Sequence, residues 1–496
     1  MQKHILSKST FLRGIQCRKS LYLYKYFYNQ KDKITPQLEA IFKQGSNVGV
    51  LAQGLFPGGT DASPESYFNF RQSVLDTILY IDEGETIVYE AAFQFNGVLA
   101  ALDILVKEKD GWKAYEVKSS TEVKDTYIND AALQYYVISN SDLKIDLKDI
   151  SIVYINNEYV KNGEIDVHQL FTIESVLDRV KEVLPKIPNQ IADFKKLLEQ
   201  DSVPDIDIGM HCFDPYDCDF MGTCWKHIPE YSVFNISNLY NTKKFELYKN
   251  GIVTFDQIDL ENNNLNSNQL LQVSSELNGE TYVDKDNINE FLKGLTYPLY
   301  YLDFETINPA IPIYDNSRPY QQLVFQYSLH VQEKPGGELT HFEYLAETDL
   351  EIDPRIGFVK QLIAECGTNG NVIVYNISFE RGKLQDAIIQ FPEYTNELTN
   401  IINRLKDLMI PFQQKWYYTP EMKGSYSIKY VLPALVPELS YDNLPIKEGG
   451  MARNTFYQMV IGVFDGYIPK TRKDLLEYCE LDTYAMVKIL QKLYNI

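Results

Sequence analysis

The sequence lacks any apolar run that approaches the length of a membrane-spanning helix, which takes about 20 apolar residues. Its amino-terminal stretch, MQKHILSKSTFLRGIQC, has no continuous apolar core after the charged residues, so a signal peptide is not predicted. We therefore expect a cytoplasmic protein without a membrane partner. Cysteine is scarce, with six residues in 496, and in a reducing compartment these should be thiols or metal ligands rather than disulfides.

Positive charge is also in short supply. The chain has 47 Lys and Arg against 68 Asp and Glu, which gives a formal net charge of −21. This balance argues against a protein that grips duplex nucleic acid through a broad basic groove. It is compatible with acidic clusters that hold cations and with local basic and aromatic patches, and the 37 tyrosines provide surfaces on which bases can stack.

Apolar residues, in contrast, are sufficient for more than one core. Hydrophobic residues make up 45% of the chain, and its length of 496 residues predicts two or three domains. We predict a mixed α/β chain with two domains, residues 1–230 and 297–496, joined by a small helical segment at 231–296. Within that segment, Leu239–Asp256 is similar to one unit of a helix-hairpin-helix element, although a plain helical spacer is the simpler explanation.

The most informative acidic motif is Asp303-x-Glu305, inside the apolar run PLYYLDFET. Such a run predicts a buried strand, in which alternate side chains share a face. Asp303 and Glu305 should then lie side by side, and a divalent cation would remove the cost of burying two like charges. Carboxylate oxygens suit Mg²⁺ or Mn²⁺. The alternative is a strand end at which both acids face water.

Further acids follow in the same half. Residues 371–376 predict a short buried strand, and Glu380 falls in the first turn of the next helix, where the helix dipole favours any acid. Tyr478 and Asp482 are four residues apart on the predicted last helix and therefore share a face. Asp407, in LKDLMIPF, is an additional acid that could act in place of Glu380.

In chain order, Asp303-x-Glu305, Asn376-x-x-Phe379-Glu380 and Tyr478-x-x-x-Asp482 resemble the three motifs of DEDDy-type 3′–5′ exonucleases. The resemblance implies a ribonuclease H-like fold and a two-metal site. It implies that Mg²⁺ or Mn²⁺ is held by Asp303, Glu305 and Asp482. It also implies that Glu380 completes the site through a metal or its water and that Tyr478 positions the attacking water. The family normally has aspartate at the position of Glu380.

A second acidic group lies between Glu90 and Ser120. Asp110-Gly111 predicts a two-residue hairpin turn, which would place Asp103 directly across from Lys118, with Glu116 diagonal and on the same face. Two acids and a lysine in this arrangement can bind a metal and orient water or stabilise an oxyanion. An ordinary cross-strand ion pair on a solvated face is the alternative.

Asp103 and Glu116-Val117-Lys118 look like the D…E-x-K core of PD-(D/E)XK nucleases. Gln134-Tyr135-Tyr136 is similar to the motif that follows this core in the RecB-like branch, which includes the CRISPR-associated RecB-like exonucleases. The resemblance implies a restriction-endonuclease-like α/β core. It implies that Asp103 and Glu116 are metal ligands and that Lys118 and Gln134 belong to the catalytic centre.

Some members of that branch carry a metal-binding histidine in a G-x-x-x-H motif on the first helix. The matching site in this chain reads Gly45-Ser46-Asn47-Val48-Gly49 and has no histidine. Glu90 is the residue that we consider as a substitute ligand.

Four of the six cysteines form a further pattern. Cys212, Cys218 and Cys224 are spaced six residues apart in HCFDPYDCDFMGTCW, and Cys17 lies near the start of the chain. Four thiols suit either zinc or an iron–sulfur cluster, and spacing alone does not choose between them. The one-plus-three layout looks like that of RecB-branch proteins in which four cysteines clasp the two ends of the nuclease domain. The resemblance therefore implies a [4Fe–4S] cluster.

Together, the resemblances imply a metal-dependent nuclease with two centres that hydrolyses DNA, with single-stranded ends as the favoured substrate. One alternative is an RNA exonuclease that uses only the carboxy-terminal centre. Another is a nucleic-acid-binding adaptor with a structural cluster and no turnover. Aromatic and basic residues at 415–418 and 423–429 could hold a single strand or form a surface loop packed on itself. Protein partners in repair or defence are left open.

Overall fold

The computed structural model describes residues 5–66, 69–261 and 264–496. The chain forms two compact units, one of Met1–His227 with Ala310–Tyr320 and the other of Ile228–Pro309 with Gln321–Ile496. The predicted mixed α/β class is confirmed. Residues 231–296, predicted as a separate joining segment, lie within the second unit. Among the described residues, no helix combines the length and the apolar character that crossing a bilayer requires.

The first unit is built on a seven-stranded sheet of order β2-β3-β4-β5-β6-β7, with β1 paired to β4. Its strands are β1 (Leu6–Ser7), β2 (Thr60–Asp61), β3 (Ile87–Phe95), β4 (Val98–Glu108), β5 (Gly111–Lys118), β6 (Leu147–Ile155) and β7 (Phe171–Ser175). Its helices are α1 (Lys8–Gln16), α2 (Arg18–Tyr26), α3 (Pro36–Ala52), α4 (Phe70–Glu83), α5 (Asp125–Asn140), α6 (Val167–Leu170), α7 (Leu177–Val183), α8 (Ile187–Leu198) and α9 (Met221–Cys224).

This sheet is covered on both faces. In β6, Ile150 and Ile152 pack into one apolar cluster, whereas Val153 and Ile155 pack into another. Burial on both faces explains why the strand reads as a nearly continuous apolar run rather than as an alternating one. Helix α5 contacts β3, β4 and β6, and it therefore lies against the strands that carry Glu90 and Asp103.

The β4–β5 hairpin differs by two residues from the sequence prediction. Glu108 pairs with Gly111, so the turn is Lys109-Asp110 instead of Asp110-Gly111. Gly111 takes a φ of +142°, and a β-carbon there would lie 2.6 Å from the carbonyl oxygen of Asp146, so glycine is required at the first position of the strand. Continuing this register places Glu116, rather than Lys118, opposite Asp103. Because the shift is two residues, neither side chain changes face.

The second unit contains a five-stranded sheet of order β11-β10-β9-β12-β13 and a two-stranded sheet of β14 and β8. Its strands are β8 (Tyr282–Val283), β9 (Leu299–Ile307), β10 (Leu323–Gln332), β11 (Leu339–Leu345), β12 (Asn371–Val374), β13 (Leu405–Asp407) and β14 (Tyr417–Tyr418). Its helices are α10 (Asn241–Lys249), α11 (Ser267–Asn278), α12 (Lys285–Lys293), α13 (Pro354–Glu365), α14 (Ile377–Gln390), α15 (Thr395–Arg404), α16 (Ile410–Gln413), α17 (Ile428–Leu435), α18 (Gly449–Val460) and α19 (Ile468–Tyr494).

Strand β9 separates apolar from acidic side chains by simple alternation. Tyr300, Leu302 and Phe304 pack into the core that also holds residues of α13, α14 and α15. Asp303 and Glu305 point to the other face, where α18 and α19 contact the strand. The strand is antiparallel to β10 and parallel to β12.

Candidate metal centres

The first candidate site, here called the C-terminal centre, consists of Asp303 and Glu305 on β9 and Asp482 on α19. One carboxylate oxygen from each residue can be chosen so that all three atoms lie within 4.8 Å of one another. Glu305 is 9% exposed and Asp482 is 7% exposed. Residues almost 180 positions apart in the sequence are thus brought together because α19 packs on the acidic face of β9.

Burial raises the pKa of each acid in this group, and repulsion by Asp482 raises the pKa values of Asp303 and Glu305 further. Burial, followed by the charge of Asp482, raises the pKa of Asp303 well above its usual value. The same two causes raise the pKa of Glu305 to about 8, and burial raises that of Asp482 to about 6. Such a group has to retain protons at neutral pH unless a cation neutralises it, so the donor set fits a divalent ion.

Glu380 lies in the first turn of α14 and is 1% exposed. It is outside the group of three, but its charge contributes to the raised pKa of Asp303. Burial raises the pKa of Glu380 itself well above the usual value, and its Oε2 atom is buried without a hydrogen-bond partner. A buried, unpartnered carboxylate oxygen is costly, and a bound cation or its water would satisfy it.

Asp407, considered above as a replacement for Glu380, has a structural explanation. Its carboxylate accepts hydrogen bonds from the backbone N–H groups of Asn376, Ile377 and Met409, at 2.9–3.1 Å. It therefore caps the start of α14, where Asn376 adopts a left-handed backbone conformation with φ of +92°. We assign Asp407 no part in cation binding.

Tyr441 and Arg453, which lie around the C-terminal centre, had no signal in the sequence, whereas Tyr478 was predicted here and Lys429 was predicted only as a possible contact for a single strand. The Tyr441 hydroxyl donates a 2.6 Å hydrogen bond to the Asp482 carboxylate, and the Tyr478 hydroxyl also donates a hydrogen bond to it. The charges of Arg453 and Lys429 act against the burial-raised pKa of Glu305. These residues come from loops and helices that only the tertiary fold brings to β9. Cys479 is also buried here, with its sulfur 3.9 Å from Asp303 Oδ2.

The second candidate site, the N-terminal centre, brings together Asp103, Glu116, Lys118 and Gln134. Glu116 Oε1 accepts 2.7 Å contacts from the ammonium groups of Lys8 and Lys118, and Gln134 Nε2 donates to Glu116 Oε2 at 2.9 Å. Lys118 also contacts Asp130 at 2.7 Å. Sequence reasoning missed Lys8 and Asp130, since neither belongs to the recognised motif.

In the N-terminal centre, the pKa values of the two motif acids, Glu116 and Asp103, are shifted in opposite directions. Burial alone would raise the pKa of Glu116, but Lys118 and Lys8 hold it well below the usual range. Burial, followed by the charge of Glu116, raises the pKa of Asp103 to about 8. Glu90, the proposed substitute ligand, is at φ +52° in β3, and burial raises its pKa as well.

The donors of the N-terminal centre do not fit a resident cation as they stand. Among the described residues, three ligand atoms come within 4.8 Å of one another in the C-terminal centre and in one other group, neither of which includes Asp103, Glu116 or Glu90. Both oxygens of Glu116 already accept hydrogen bonds, and two lysines supply the positive charge that a metal would bring.

Cys17, Cys212, Cys218 and Cys224 line one small cavity. No three of their sulfur atoms form a group within 4.8 Å among the described residues. In a tetrahedral zinc site, Zn–S bonds of about 2.3 Å would hold sulfurs about 3.8 Å apart. The wider spacing fits a cluster in which each thiolate binds a different iron atom.

Comparison with known proteins gives a family match without a described activity. The model of a family described as "Domain of unknown function (DUF2779)" matches residues 300–427, which include Asp303, Glu305 and Glu380 but end before Asp482. The chain is 30% identical over 211 residues to "Uncharacterized protein UU173" of Ureaplasma parvum, covering 38% of this chain and 30% of that protein. It is 29% identical over 208 residues to "Uncharacterized protein MG366 homolog" of Mycoplasma pneumoniae, covering 38% and 31%. The aligned region spans less than a third of the length of each relative.

Proposed function

We propose that this chain is a metal-dependent 3′–5′ exonuclease whose reaction takes place at the C-terminal centre. The observation that carries the proposal is the group of three carboxylates on β9 and α19, two of them buried and Asp303 partly buried, together with the unpartnered oxygen of Glu380. The order and spacing of these acids resemble the DEDDy motifs. Buried acids with raised pKa values in one cluster are typical of catalytic sites.

In this proposal, Asp303, Glu305 and Asp482 hold Mg²⁺ or Mn²⁺, and Glu380 completes the site. The bound cations supply an activated water and neutralise charge that develops on the phosphate. Tyr441 fixes the orientation of Asp482 through its hydrogen bond. Tyr478 holds the attacking water in position, the role that the motif implies.

Two cationic side chains are placed to receive the phosphate. Lys429 and Arg453 both act electrostatically on Glu305. The Nε atom of Arg453 is buried without a hydrogen-bond partner, so it has a donor left for a phosphate oxygen. Arginine at such a position stabilises charge that builds up during phosphoryl transfer.

A groove of about 730 Å³ in the second unit supports a single strand as the substrate. Its lining includes Lys244, Lys423, Tyr375, Tyr426 and Tyr430. Tyrosines and lysines along one groove can stack bases and bind phosphates. The groove also reaches the start of the helix that carries Glu380 and the residues next to Lys429, and it therefore borders the proposed reaction site. We propose single-stranded DNA as the substrate, with RNA as the alternative.

The N-terminal centre is assigned a structural role in this proposal. Its lysines satisfy Glu116 and Asp130 without a metal, and the histidine of the related nucleases is absent. These contacts favour one reaction site, at the C-terminal centre, over a nuclease with two active centres, and they do not bear on the choice between DNA and RNA.

A substrate panel tests the function. We expect 3′-to-5′ release of mononucleotides from end-labelled single-stranded DNA with Mg²⁺ or Mn²⁺, and the same assay on single-stranded RNA measures the preference between the two. Asp482→Asn should lower the rate by about 10²–10³-fold or more, since it removes a ligand and its charge. Asp465→Asn, at an exposed position of the second unit, is the matched control. Equal rates for Asp482→Asn and the control, or no cleavage of either polymer, would contradict the proposal.

We further propose that the four cysteines hold a [4Fe–4S] cluster that joins the two ends of the first unit. Protein purified under anaerobic conditions should be brown and contain about four iron atoms per chain. Cys218→Ser should lose the visible absorbance and lower the melting temperature of the first unit. Cys366→Ser, in the core of the second unit, should keep the iron. A colourless parent protein with one zinc ion would show that the cluster assignment is wrong.

A further inference from the structure

A group of metal-binding residue types lies close to the C-terminal centre and has no part in the proposed reaction. His330 on β10 and His341 on β11 are directly opposite each other in the antiparallel register. Glu480, on α19, lies next to both. One ring nitrogen of each imidazole and one oxygen of Glu480 can be chosen so that all three atoms lie within 4.8 Å of one another.

Hydrogen bonds determine which nitrogens carry protons. We assign the proton of Thr483 Oγ1 to the backbone oxygen of Glu480 at 3.1 Å, which makes this oxygen the acceptor from His330 Nδ1 at 2.8 Å and from Ser328 Oγ at 2.6 Å. The Ser328 hydroxyl then donates its hydrogen bond to Thr483 and accepts one from His341 Nε2 at 2.9 Å. This proton count leaves lone pairs on His330 Nε2 and His341 Nδ1.

This arrangement is the one that metal-binding histidines use. Each imidazole donates one N–H to a fixed hydroxyl and keeps its other nitrogen free as a ligand, which sets both the tautomer and the ring orientation. The two rings stack with centroids 4.4 Å apart.

The third ligand is held at a distance that suits an ion better than a direct bond. His341 Nδ1 lies 3.9 Å from Glu480 Oε1, which is too long for a hydrogen bond. Two ligands about 2.0–2.1 Å from a tetrahedral zinc ion lie about 3.3–3.4 Å apart, a separation reached by a small movement of the half-exposed glutamate. The side chains of His341 and Glu480 are 23% and 48% exposed, so solvent and ions reach the site.

We propose that His330, His341 and Glu480 form a binding site for zinc or a similar divalent transition metal. Two imidazoles and one carboxylate suit zinc, whereas Mg²⁺ prefers oxygen ligands alone, so this site and the C-terminal centre select different ions.

The site is placed to hold the proposed reaction centre in position. Glu480 lies between Tyr478 and Asp482 on α19, and Ser328 is directly opposite Asp303 in the β9–β10 register. A zinc ion would therefore fasten α19 to β10 and β11 beside the C-terminal centre. This role is structural, and zinc binding does not depend on the proposed nuclease function.

Zinc titration of the full-length protein, with the four cysteines intact, tests the site. Competition with a chromophoric chelator in excess Mg²⁺ measures the number of zinc ions and their affinity. We expect His341→Ala and Glu480→Gln each to bind one zinc ion fewer, or to bind it at least about 100-fold more weakly, than the parent. The matched controls are His168→Ala and Glu477→Gln, both at exposed positions. Thr483→Val, which keeps all three ligands, should weaken zinc binding by about 10–100-fold.

Equal zinc stoichiometry and affinity in His341→Ala, Glu480→Gln and both controls would overturn the proposal. The two variants change different elements and partly exposed side chains, so a folding defect in one leaves the other as a test. Asp303→Asn separates this inference from the proposed function, since it should lose nuclease activity and keep the zinc ion. Loss of this zinc ion in Asp303→Asn would contradict the proposal that zinc binds at a site independent of the C-terminal centre.

Discussion

Replacement of Asp303 by asparagine should abolish nuclease activity and, at the same time, raise the melting temperature of the metal-free protein. Asp303 is one of three carboxylates within 4.8 Å, and its pKa is raised by burial and by Asp482. Asparagine has nearly the same shape and no charge, so it removes the repulsion and the need to retain a proton. Differential scanning calorimetry in EDTA should show a melting temperature a few degrees above that of the parent and of the control Asp465→Asn.

The same centre predicts how the stability of the metal-free protein depends on pH. The pKa of Glu305 is raised to about 8 and that of Asp482 to about 6, so the folded state binds more protons than the unfolded state, in which these acids titrate near 4. The stabilisation that these protons provide is therefore present below about pH 4 and is lost as the pH rises through about 6 and 8. In EDTA the parent should melt at a lower temperature at pH 8.5 than at pH 6.

Mn²⁺ should reduce or reverse this trend in the parent, because the ion binds the deprotonated acids. Asp303→Asn should show a smaller pH dependence in EDTA and little gain from Mn²⁺. Some pH dependence should remain, since the pKa of Asp103 in the first unit is also raised to about 8. A lower melting temperature of Asp303→Asn than of the parent in EDTA would show that the carboxylates do not repel one another in the folded protein.

Local sequence patterns were sufficient to predict which site residues share a face of the same strand or helix. The alternation in PLYYLDFET places Asp303 and Glu305 on one face of β9, and the spacing of Tyr478 and Asp482 places them on one face of α19. The first-turn position of Glu380 also follows from the strand and helix boundaries. These features depend on strand and helix periodicity, which a single sequence contains.

Contacts between distant elements could not be predicted in the same way. Tyr441 contacts Asp482 from a loop, and Arg453 acts on Glu305 from α18, without any periodic pattern that would place them there. The sequence suggested Asp407 as a possible replacement for Glu380. It could not show that Asp407 caps α14, because those hydrogen bonds depend on the pairing of β12 with β13. The predicted hairpin register was wrong because Gly111 is the first residue of β5 rather than a turn residue, and the close approach that requires glycine there comes from Asp146, 35 positions later in the sequence.

Replacement of Lys118 by methionine should destabilise the first unit strongly. The Lys118 ammonium group lies 2.7 Å from both Glu116 and Asp130, and each of these carboxylates is only 2% exposed. Methionine fills most of the space but leaves buried negative charge without its partner, which typically costs about 3–5 kcal/mol. Urea unfolding should show a loss of this size. Lys113→Met, at a partly exposed ion pair on the same strand, should change the stability by less than about 1 kcal/mol.

A second substitution separates stability from catalysis at this centre. Asp130→Asn removes the charge that Lys118→Met leaves unpaired, so the double variant should regain most of the lost stability. If the reaction takes place at the C-terminal centre, the folded double variant should degrade single-stranded DNA at the rate of the parent. A double variant that is as stable as the parent but inactive would instead place chemistry at the N-terminal centre, because Lys118 or Asp130 would then be needed for turnover and not only for stability.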